Sequence, residues 1–205
     1  IKYLEKITEL APENKKLGIE LFQLYIEEGN QDYAHMLLDT LLKNYPGDGE
    51  LLYALANIQY SKQDWTNLLK TYYTLYLSDT NNTDILIKIY EIGLATGHKS
   101  IVLEILQEIC IAKETPLVLE LLIELLSGKN EFSEAIYYMT KLMEIDENTD
   151  QRTISLGELY LLNKQFDHVI TTLEPIYQSG NYSLNVLRLL LIAYSTIGRF
   201  EEQIT

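Results

Sequence analysis

The side chains that could carry out chemistry are few and widely spaced in this sequence. Glu120 and Glu124 are four residues apart, so on a helix they would share one face and could act as a general acid and a general base. The same spacing is typical of a solvated pair of like charges. No pocket-forming motif accompanies the two glutamates, so we favour the solvated pair over a catalytic one.

Metal binding and nucleophilic catalysis have even less support. His35, His98 and His168 are separated by about two periods of the repeat described below, so they cannot converge on one metal ion. Cys110 falls on the apolar face of a helical pattern, which predicts a core thiol and not a nucleophile. The sequence contains no glycine-rich phosphate loop, no H-E-x-x-H and no G-x-S-x-G. We therefore predict no enzyme, no metal and no cofactor.

The dominant feature of the chain is a pattern that returns about every 34 residues. Its first place, Leu21, recurs at Leu55, Ile89, Leu122, Leu156 and Leu190. A fixed period of this length indicates a stack of similar supersecondary units, not a globule around one enclosed site. The full spelling in the first unit is Leu21-x3-Tyr25-x3-Gly29-x4-Ala34-x3-Leu38-x2-Leu41-x4-Pro46.

Each unit reads as two helices joined by a tight turn. In residues 48–78, apolar residues at helical spacing are interrupted near Gln63, and Asp64 is a plausible N-cap for the second helix. Connections this short make neighbouring helices antiparallel, and no segment alternates as a strand does, so the predicted fold class is all-α. The turns are expected at Gly29-Asn30, Lys62-Gln63, Gly97-His98, Lys129-Asn130, Asn163-Lys164 and Gly198-Arg199.

The repeats extend from one end of the chain to the other. Leu4, Ile7 and Pro12 fit the last three places of the pattern, so residues 1–11 are expected to be the second half of a repeat. At the other end, a new amphipathic segment begins at Phe200, and the given sequence stops at Thr205, within that repeat. We expect residues 1–205 to be a single continuous array and a fragment of a longer protein, with two partial repeats and five complete ones at 13–46, 47–80, 81–114, 115–147 and 148–181.

The spelling resembles the tetratricopeptide repeat over essentially the whole chain. The matches include Leu156-Gly157-x2-Tyr160, Gly29-x4-Ala34 and Phe132-x2-Ala135, and Pro12 and Pro46 match the terminal proline. The third repeat departs from the pattern, because Gly93 stands where tyrosine is usual and should weaken its helix. The resemblance implies a right-handed superhelix, an α-solenoid whose first helices line a concave groove that binds peptides or protein segments.

The residues expected in that groove lie on the first helices and point away from the second helices. Glutamates should make its middle acidic, and the only nearby cations expected on first helices are Lys88 and Arg188. Tyrosine and isoleucine make the groove partly apolar, which suits peptide capture. A face of solvated carboxylates is the equally weighted alternative. The candidate binding residues are Gln23, Tyr53, Asn57, Tyr60, Ile87, Glu91, Glu120, Glu124, Ile154, Glu158 and Arg188.

One known binding mode of the family is not met. Some members hold the C-terminal carboxylate of chaperones with a Lys/Asn/Lys/Arg clamp on three successive first helices. Asn57 and Lys88 fall near that pattern, but the other places hold Tyr53, Leu117 and Leu121. We therefore do not predict a chaperone co-factor.

Composition limits the partners. The net charge of −14 repels nucleic acid and anionic membranes and favours basic or neutral partners. The longest apolar run, residues 115–127, is too short to cross a membrane, so no direct membrane insertion is expected from this segment. The single cysteine excludes an internal disulfide framework and slightly favours a cytoplasmic location. Composition does not indicate the oligomeric state.

Two functions from different classes follow. The leading one is a protein–protein interaction scaffold or adaptor that binds a peptide or protein segment, with Lys or Arg and apolar residues, in the groove. The alternative is a peptide-sensing regulatory module that controls an effector domain outside this sequence. A third hypothesis places catalysis elsewhere in a longer chain.

One local expectation concerns Pro175, which should kink the second helix of the fifth repeat or end it early, leaving a loose connection at residues 179–181.

Overall fold

The computed structural model describes residues 14–146 and 149–198, together with Lys2 and Lys6. Within these residues it contains helices and turns and no strand. Two compact units are distinguished, residues 1–102 and residues 103–205, with the division falling inside a helix. Each unit is described by itself.

Unit 1 is a series of helical hairpins. Consecutive helices from the first to the fifth pack against each other, and each hairpin turn is three residues long. This is the packing of an α-solenoid of antiparallel helix pairs. The helices are α1 (Lys15–Glu27), α2 (Gln31–Asn44), α3 (Gly49–Ser61), α4 (Trp65–Ser78), α5 (Thr83–Ala95) and α6 (Lys99–Ala112), of which α6 continues past Val102 into unit 2.

Unit 2 repeats the arrangement. Each helix packs on the next, and α9 contacts both its hairpin partner α10 and the following first helix α11. Contact between successive first helices is what allows them to present one face. The helices are α7 (Pro116–Gly128), α8 (Phe132–Ile145), α9 (Asp150–Leu162), α10 (Phe166–Gln178) and α11 (Leu184–Ile197).

All five complete hairpins close with the same turn. The residue after the C-cap of the first helix has a positive φ, and the next residue donates its backbone N–H to a carbonyl five residues earlier, as Asn30 does to Tyr25 at 2.8 Å. This is the Schellman arrangement, which satisfies the last carbonyls of a helix. Five of the six predicted turns are confirmed, and the sixth, at Gly198-Arg199, extends beyond the described residues. The positive-φ residues of the five are Gly29, Gln63, Gly97, Asn130 and Lys164.

The hairpins are held together at one recurring place on the second helix. The residue five positions after the positive-φ residue is completely buried in each of the five hairpins, so each second helix crosses its first helix there. The predicted N-cap of α4 is also confirmed, since the Asp64 carboxylate accepts a hydrogen bond from the backbone N–H of Asn67. The buried residues at the crossing are Ala34, Leu68, Val102, Ala135 and Val169.

Pro175 does not end its helix. α10 continues to Gln178, and the carbonyl of Pro175 accepts a hydrogen bond from Ser179 N–H at 3.0 Å. The connection after it is not loose, because Asn181 N–H bonds to the carbonyl of Ile176 in another Schellman turn. The alternative of an early end and the expected loose connection are therefore wrong, while the kink stays a prediction. Proline removes one donor near the last turn of α10, and the capping bonds keep that turn closed.

The all-α solenoid predicted from the spacing is confirmed over the described residues. Five helix pairs and the first helix of a sixth lie where the repeat places them. The half repeat expected in residues 1–11 and the segment that begins at Phe200 lie outside the described residues.

Candidate protein-interaction face

The predicted groove residues occupy two recurring places on the first helices. One place holds Gln23, Asn57 and Glu91 in unit 1, and the other holds Tyr53 and Ile87 in the same unit. We call these five residues and Tyr60 the first-helix face of unit 1. All six side chains are exposed, and their role in binding stays a prediction.

Three large apolar side chains stand out on this face. Tyr53 is 40% exposed, Tyr60 57% and Ile87 38%. Tyr60 packs edge-on against Trp65, with ring centroids 5.3 Å apart, which fixes its ring relative to α4. Behind them, burial raises the pKa of the Tyr72 hydroxyl, and the nearby hydroxyls of Tyr53 and Tyr60 raise it further. The Tyr72 hydroxyl thus lies near those of Tyr53 and Tyr60, whose side chains are open to solvent.

A pocket of about 500 Å³ lies beside this face, between α1, the start of α2, and α3. Its apolar lining comes from Phe22, Ile26, Ala54 and Ile58. Asn57, which belongs to the first-helix face of unit 1, is part of the wall, so the pocket opens next to that face. The remaining lining residues are polar or charged: Gln31, His35, Ser61 and Lys62.

Lys62 and His35 form the charged side of the pocket. The Lys62 ammonium lies 3.4 Å from His35 Nδ1 and donates to it when that nitrogen is unprotonated. Within the described residues, Lys62 makes no ion pair. The sequence analysis placed Lys62 in a turn and His35 on a second helix and assigned neither to a site. Their proximity across one repeat could have been noticed only from the spacing of 27 residues, which alone is a weak signal.

In unit 2 the predicted acidic residues are partly neutralised. The Arg152 guanidinium lies 3.2 Å from Glu120 and 2.6 Å from Asp146, and these partners raise its pKa, with the hydrogen bond to Asp146 the largest cause. Arg188 also lies 4.0 Å from Glu158. The expectation that Lys88 and Arg188 are the only nearby first-helix cations is therefore wrong, because it overlooked Arg152 on α9.

The other predicted residues of unit 2 differ in exposure. Glu124 is exposed and makes no ion pair among the described residues. Ile154 is only 5% exposed and packs in the core, at the floor of a depression of about 490 Å³. Gln151 and Asn185 line the same depression, so the structure does bring residues of α9 and α11 together. Only a small part of the Ile154 side chain is therefore accessible to a partner.

The remaining candidate chemical groups each have local neighbours of their own. His98 contacts Thr96 Oγ1 at 2.9 Å, while His168 stacks on Tyr160 with ring centroids 5.0 Å apart. Cys110 is buried, and burial raises the pKa of its thiol, so it is a core thiol as predicted.

Two further observations apply to residues 14–146 and 149–198. No group of three or more His, Cys, Asp or Glu side chains there could hold a metal ion. No helix in the described part of the chain is both long enough and apolar enough to cross a membrane.

Solved structures share this fold. A chain in the structure of Naa15/Naa10 bound to HypK-THB is 11% identical, with a TM-score of 0.67 over 98% of this chain. The crystal structure of MamA is 17% identical, with a TM-score of 0.52, and the match covers 73% of this chain and 88% of that one. YrrB, described as a TPR protein with an unusual peptide-binding site, is 14% identical with a TM-score of 0.48, covering 90% of this chain and 96% of that one.

These comparisons concern the fold. The present chain spans about a third of the length of the chain it matches in the Naa15/Naa10 structure, 32%. No protein-family model matches the sequence, and no curated protein matches it. The likeness to solved structures shows the fold alone: the helical hairpins form an α-solenoid, as the 34-residue spacing predicted.

Proposed function

We propose that this chain is a protein–protein interaction module, a scaffold or adaptor that holds a peptide or protein segment against its first helices. The observation that carries the proposal is the group of Tyr53, Tyr60 and Ile87, exposed on one face of unit 1. Aromatic and large aliphatic side chains that are anchored by their neighbours are typical of the residues that dominate binding energy. Their place next to a pocket suits an inserted side chain.

A protein partner is also supported by the fold and the charge. The structure of Naa15/Naa10 bound to HypK-THB contains this fold in a complex of proteins. The net charge of −14 disfavours nucleic acid as a partner and attracts basic segments. We therefore propose a partner segment that presents apolar residues to Tyr53, Tyr60 and Ile87 and a Lys or Arg to an exposed carboxylate such as Glu91.

The test is selection of binding peptides from a randomised library displayed on phage, with the whole chain as bait. Selected peptides are synthesised with a fluorophore, and their dissociation constants are measured by anisotropy. Tyr53→Ala and Ile87→Ala should each weaken binding about tenfold, the loss expected for a residue that anchors an interface. Met36→Ala and Leu77→Ala serve as matched controls, because both side chains are exposed and lie on second helices.

The affinities of the face variants and the control variants decide whether the proposal holds. The proposal is supported when the control variants bind within about twofold of the wild-type chain while the two face variants lose affinity. It fails if no peptide binds saturably, or if Met36→Ala and Leu77→Ala weaken binding as much as Tyr53→Ala and Ile87→Ala.

A further inference from the structure

We infer that the pocket between α1, α2 and α3 binds a carboxylate that stands next to an apolar side chain of the partner segment. The inference rests on the proposed function and names the chemistry of one of its contacts. It adds to the expectation of a partner segment with Lys or Arg and apolar residues, because it assigns an acidic group of the partner to Lys62.

The apolar part of the pocket determines one half of this chemistry. Phe22 and Ile26 of α1 face Ala54 and Ile58 of α3 across a volume of about 500 Å³. Small-molecule and side-chain pockets generally range from roughly 300 to 1,000 Å³ and are mostly apolar with a few polar groups. A branched aliphatic or aromatic side chain would remove the exposed parts of these four residues from water.

Lys62 determines the other half. An ammonium group has three donors, and the contact with His35 Nδ1 at 3.4 Å occupies at most one of them. Lys62 has no carboxylate within ion-pairing distance in the described part of the structure, and the nearest charged or titratable group recorded for its ammonium is the His35 ring. Its charge therefore stands uncompensated at the wall of an apolar pocket, where an approaching anion is attracted and a cation repelled.

Neutral polar groups complete the lining. Gln31 and Asn57 carry side-chain amides that can donate to an oxygen, whereas the Ser61 hydroxyl already donates to the carbonyl of Ile58 at 2.8 Å. A carboxylate accepts up to four hydrogen bonds and can use the Lys62 ammonium and an amide together. Such charge-assisted bonds are shorter and stronger than neutral ones, so this wall complements a carboxylate better than a neutral oxygen acceptor.

The source of the carboxylate can be an acidic side chain or the C-terminus of the partner, and small probes distinguish the two. N-acetyl-leucinate carries a terminal carboxylate, and acetyl-Leu-Glu-amide carries a side-chain carboxylate. Their neutral counterparts are N-acetyl-leucinamide and acetyl-Leu-Gln-amide. Each probe is titrated into the ¹⁵N-labelled whole chain, and backbone amide shifts are followed by NMR.

The expected result is saturable shifts at His35, Asn57, Ile58 and Lys62 with at least one carboxylate probe. The neutral counterpart of that probe should need an about tenfold higher concentration to reach the same shift, since a hydrogen bond between charged groups is lost. Lys62→Met should abolish this preference, while Lys43→Met, an exposed lysine at the end of α2 and outside the pocket, should retain it. The probe that binds more tightly identifies the source of the carboxylate.

The inference is overturned if charged and neutral probes bind equally to the wild-type chain, if Lys62→Met keeps the preference, or if the shifts map away from the pocket. These results are independent of the peptide selection. If selected peptides depend on Tyr53 and Ile87 but not on Lys62, the proposed function stands and this inference fails. If carboxylate probes bind in the pocket but no displayed peptide binds, the reverse holds.

Discussion

Gly93 of α5 lies so close to Val102 of α6 that a Cβ placed on the glycine would be 2.0 Å from Val102 Cγ2. Its carbonyl also accepts the hydrogen bond from His98 N–H, at 2.7 Å, that closes the hairpin. The sequence pattern has tyrosine at this place in other repeats, which led to the expectation that glycine weakens the helix. The structure gives glycine a packing reason, because Val102 Cγ2 occupies the space that a Cβ at residue 93 would need.

Gly93→Ala is expected to lower the free energy of unfolding by up to about 2 kcal/mol. The added methyl group overpacks the crossing, and this cost exceeds the roughly 1 kcal/mol that alanine gains over glycine in a helix. Val102 cannot easily rotate away, because its side chain is β-branched. Denaturant unfolding of Gly93→Ala, Val102→Ala and the double variant measures the coupling, which should be favourable by at least about 0.5 kcal/mol.

Gly18→Ala is the matched control for this substitution. There the added Cβ would lie 2.5 Å from Leu41 Cδ2, the far end of a flexible side chain that can adjust. We expect Gly18→Ala to stay within about 1 kcal/mol of the wild-type chain. Equal losses for Gly18→Ala and Gly93→Ala would contradict the explanation.

Three hairpin turns hold a residue other than glycine in the left-handed region. Substitution by glycine should clearly stabilise the chain at two of these turns. Gln63 and Lys164 have φ values of 56° and 59°. The left-handed conformation costs such residues roughly 1–2 kcal/mol, and glycine avoids this cost. Glycine also loses more backbone entropy on folding, which offsets about 0.5–1 kcal/mol of that advantage. Gln63→Gly and Lys164→Gly should therefore each raise the free energy of unfolding by about 0.5–1 kcal/mol. Asn130→Gly should gain less, because asparagine tolerates this region.

Thermal or denaturant unfolding checks this order, with Lys62→Gly as control. Lys62 precedes Gln63 and has a φ of −86°, so glycine there loses backbone entropy without relieving strain. Lys62→Gly should therefore destabilise the chain. A gain for Lys62→Gly equal to that for Gln63→Gly would show that strain in the turn is not the cause.

The turns and helix pairs could be predicted from sequence because they depend on neighbours within one repeat. Gly29 and Gly97 mark their turns directly, and the period extends the same turn to Gln63 and Lys164, which carry no such mark. The contacts of the candidate site depend instead on where long side chains reach between helices. The approach of Arg152 to Glu120 and of Lys62 to His35 is set by the rotation of each helix about its axis, which a spacing pattern gives only coarsely.

A surface ion pair at the start of α3 should make stability depend on pH in acid. Lys15 Nζ lies 2.5 Å from Asp48 Oδ2, while Asp48 Oδ1 caps the helix by accepting from Leu51 N–H at 3.1 Å. The hydrogen bond from Lys15 and, after it, the capping bond lower the pKa of Asp48 below its ordinary value of 3.8. A carboxyl group with a lowered pKa stabilises the fold above its ordinary pKa, and this contribution is lost as pH falls through the folded value.

Asp48→Asn tests this contribution without removing the cap, because asparagine caps helices as well as aspartate does. The wild-type chain should have the higher unfolding midpoint between about pH 5 and 9, and the difference should shrink below about pH 4. The pKa of Lys15 is raised above 10.5, so its share is lost only at alkaline pH. A difference that persists unchanged to pH 2 would mean that the charge of Asp48 is not responsible.

The last prediction concerns two glutamates on one face of α7 that differ in their partners. Glu120 is paired with Arg152 at 3.2 Å, whereas Glu124, one turn later, makes no ion pair among the described residues. For a selected peptide that contains Lys or Arg and contacts unit 2, Glu124→Gln should weaken binding about two- to fivefold at low salt, the range expected of one exposed charge pair. Glu120→Gln should change affinity less than about twofold, because Arg152 already neutralises that carboxylate. The difference should disappear near 1 M salt, where charges are screened over roughly 3 Å. Anisotropy titrations across ionic strength measure both variants against the wild-type chain. If Glu124→Gln leaves the affinity and its salt dependence unchanged, the carboxylates of α7 are solvated surface, and basic segments bind elsewhere.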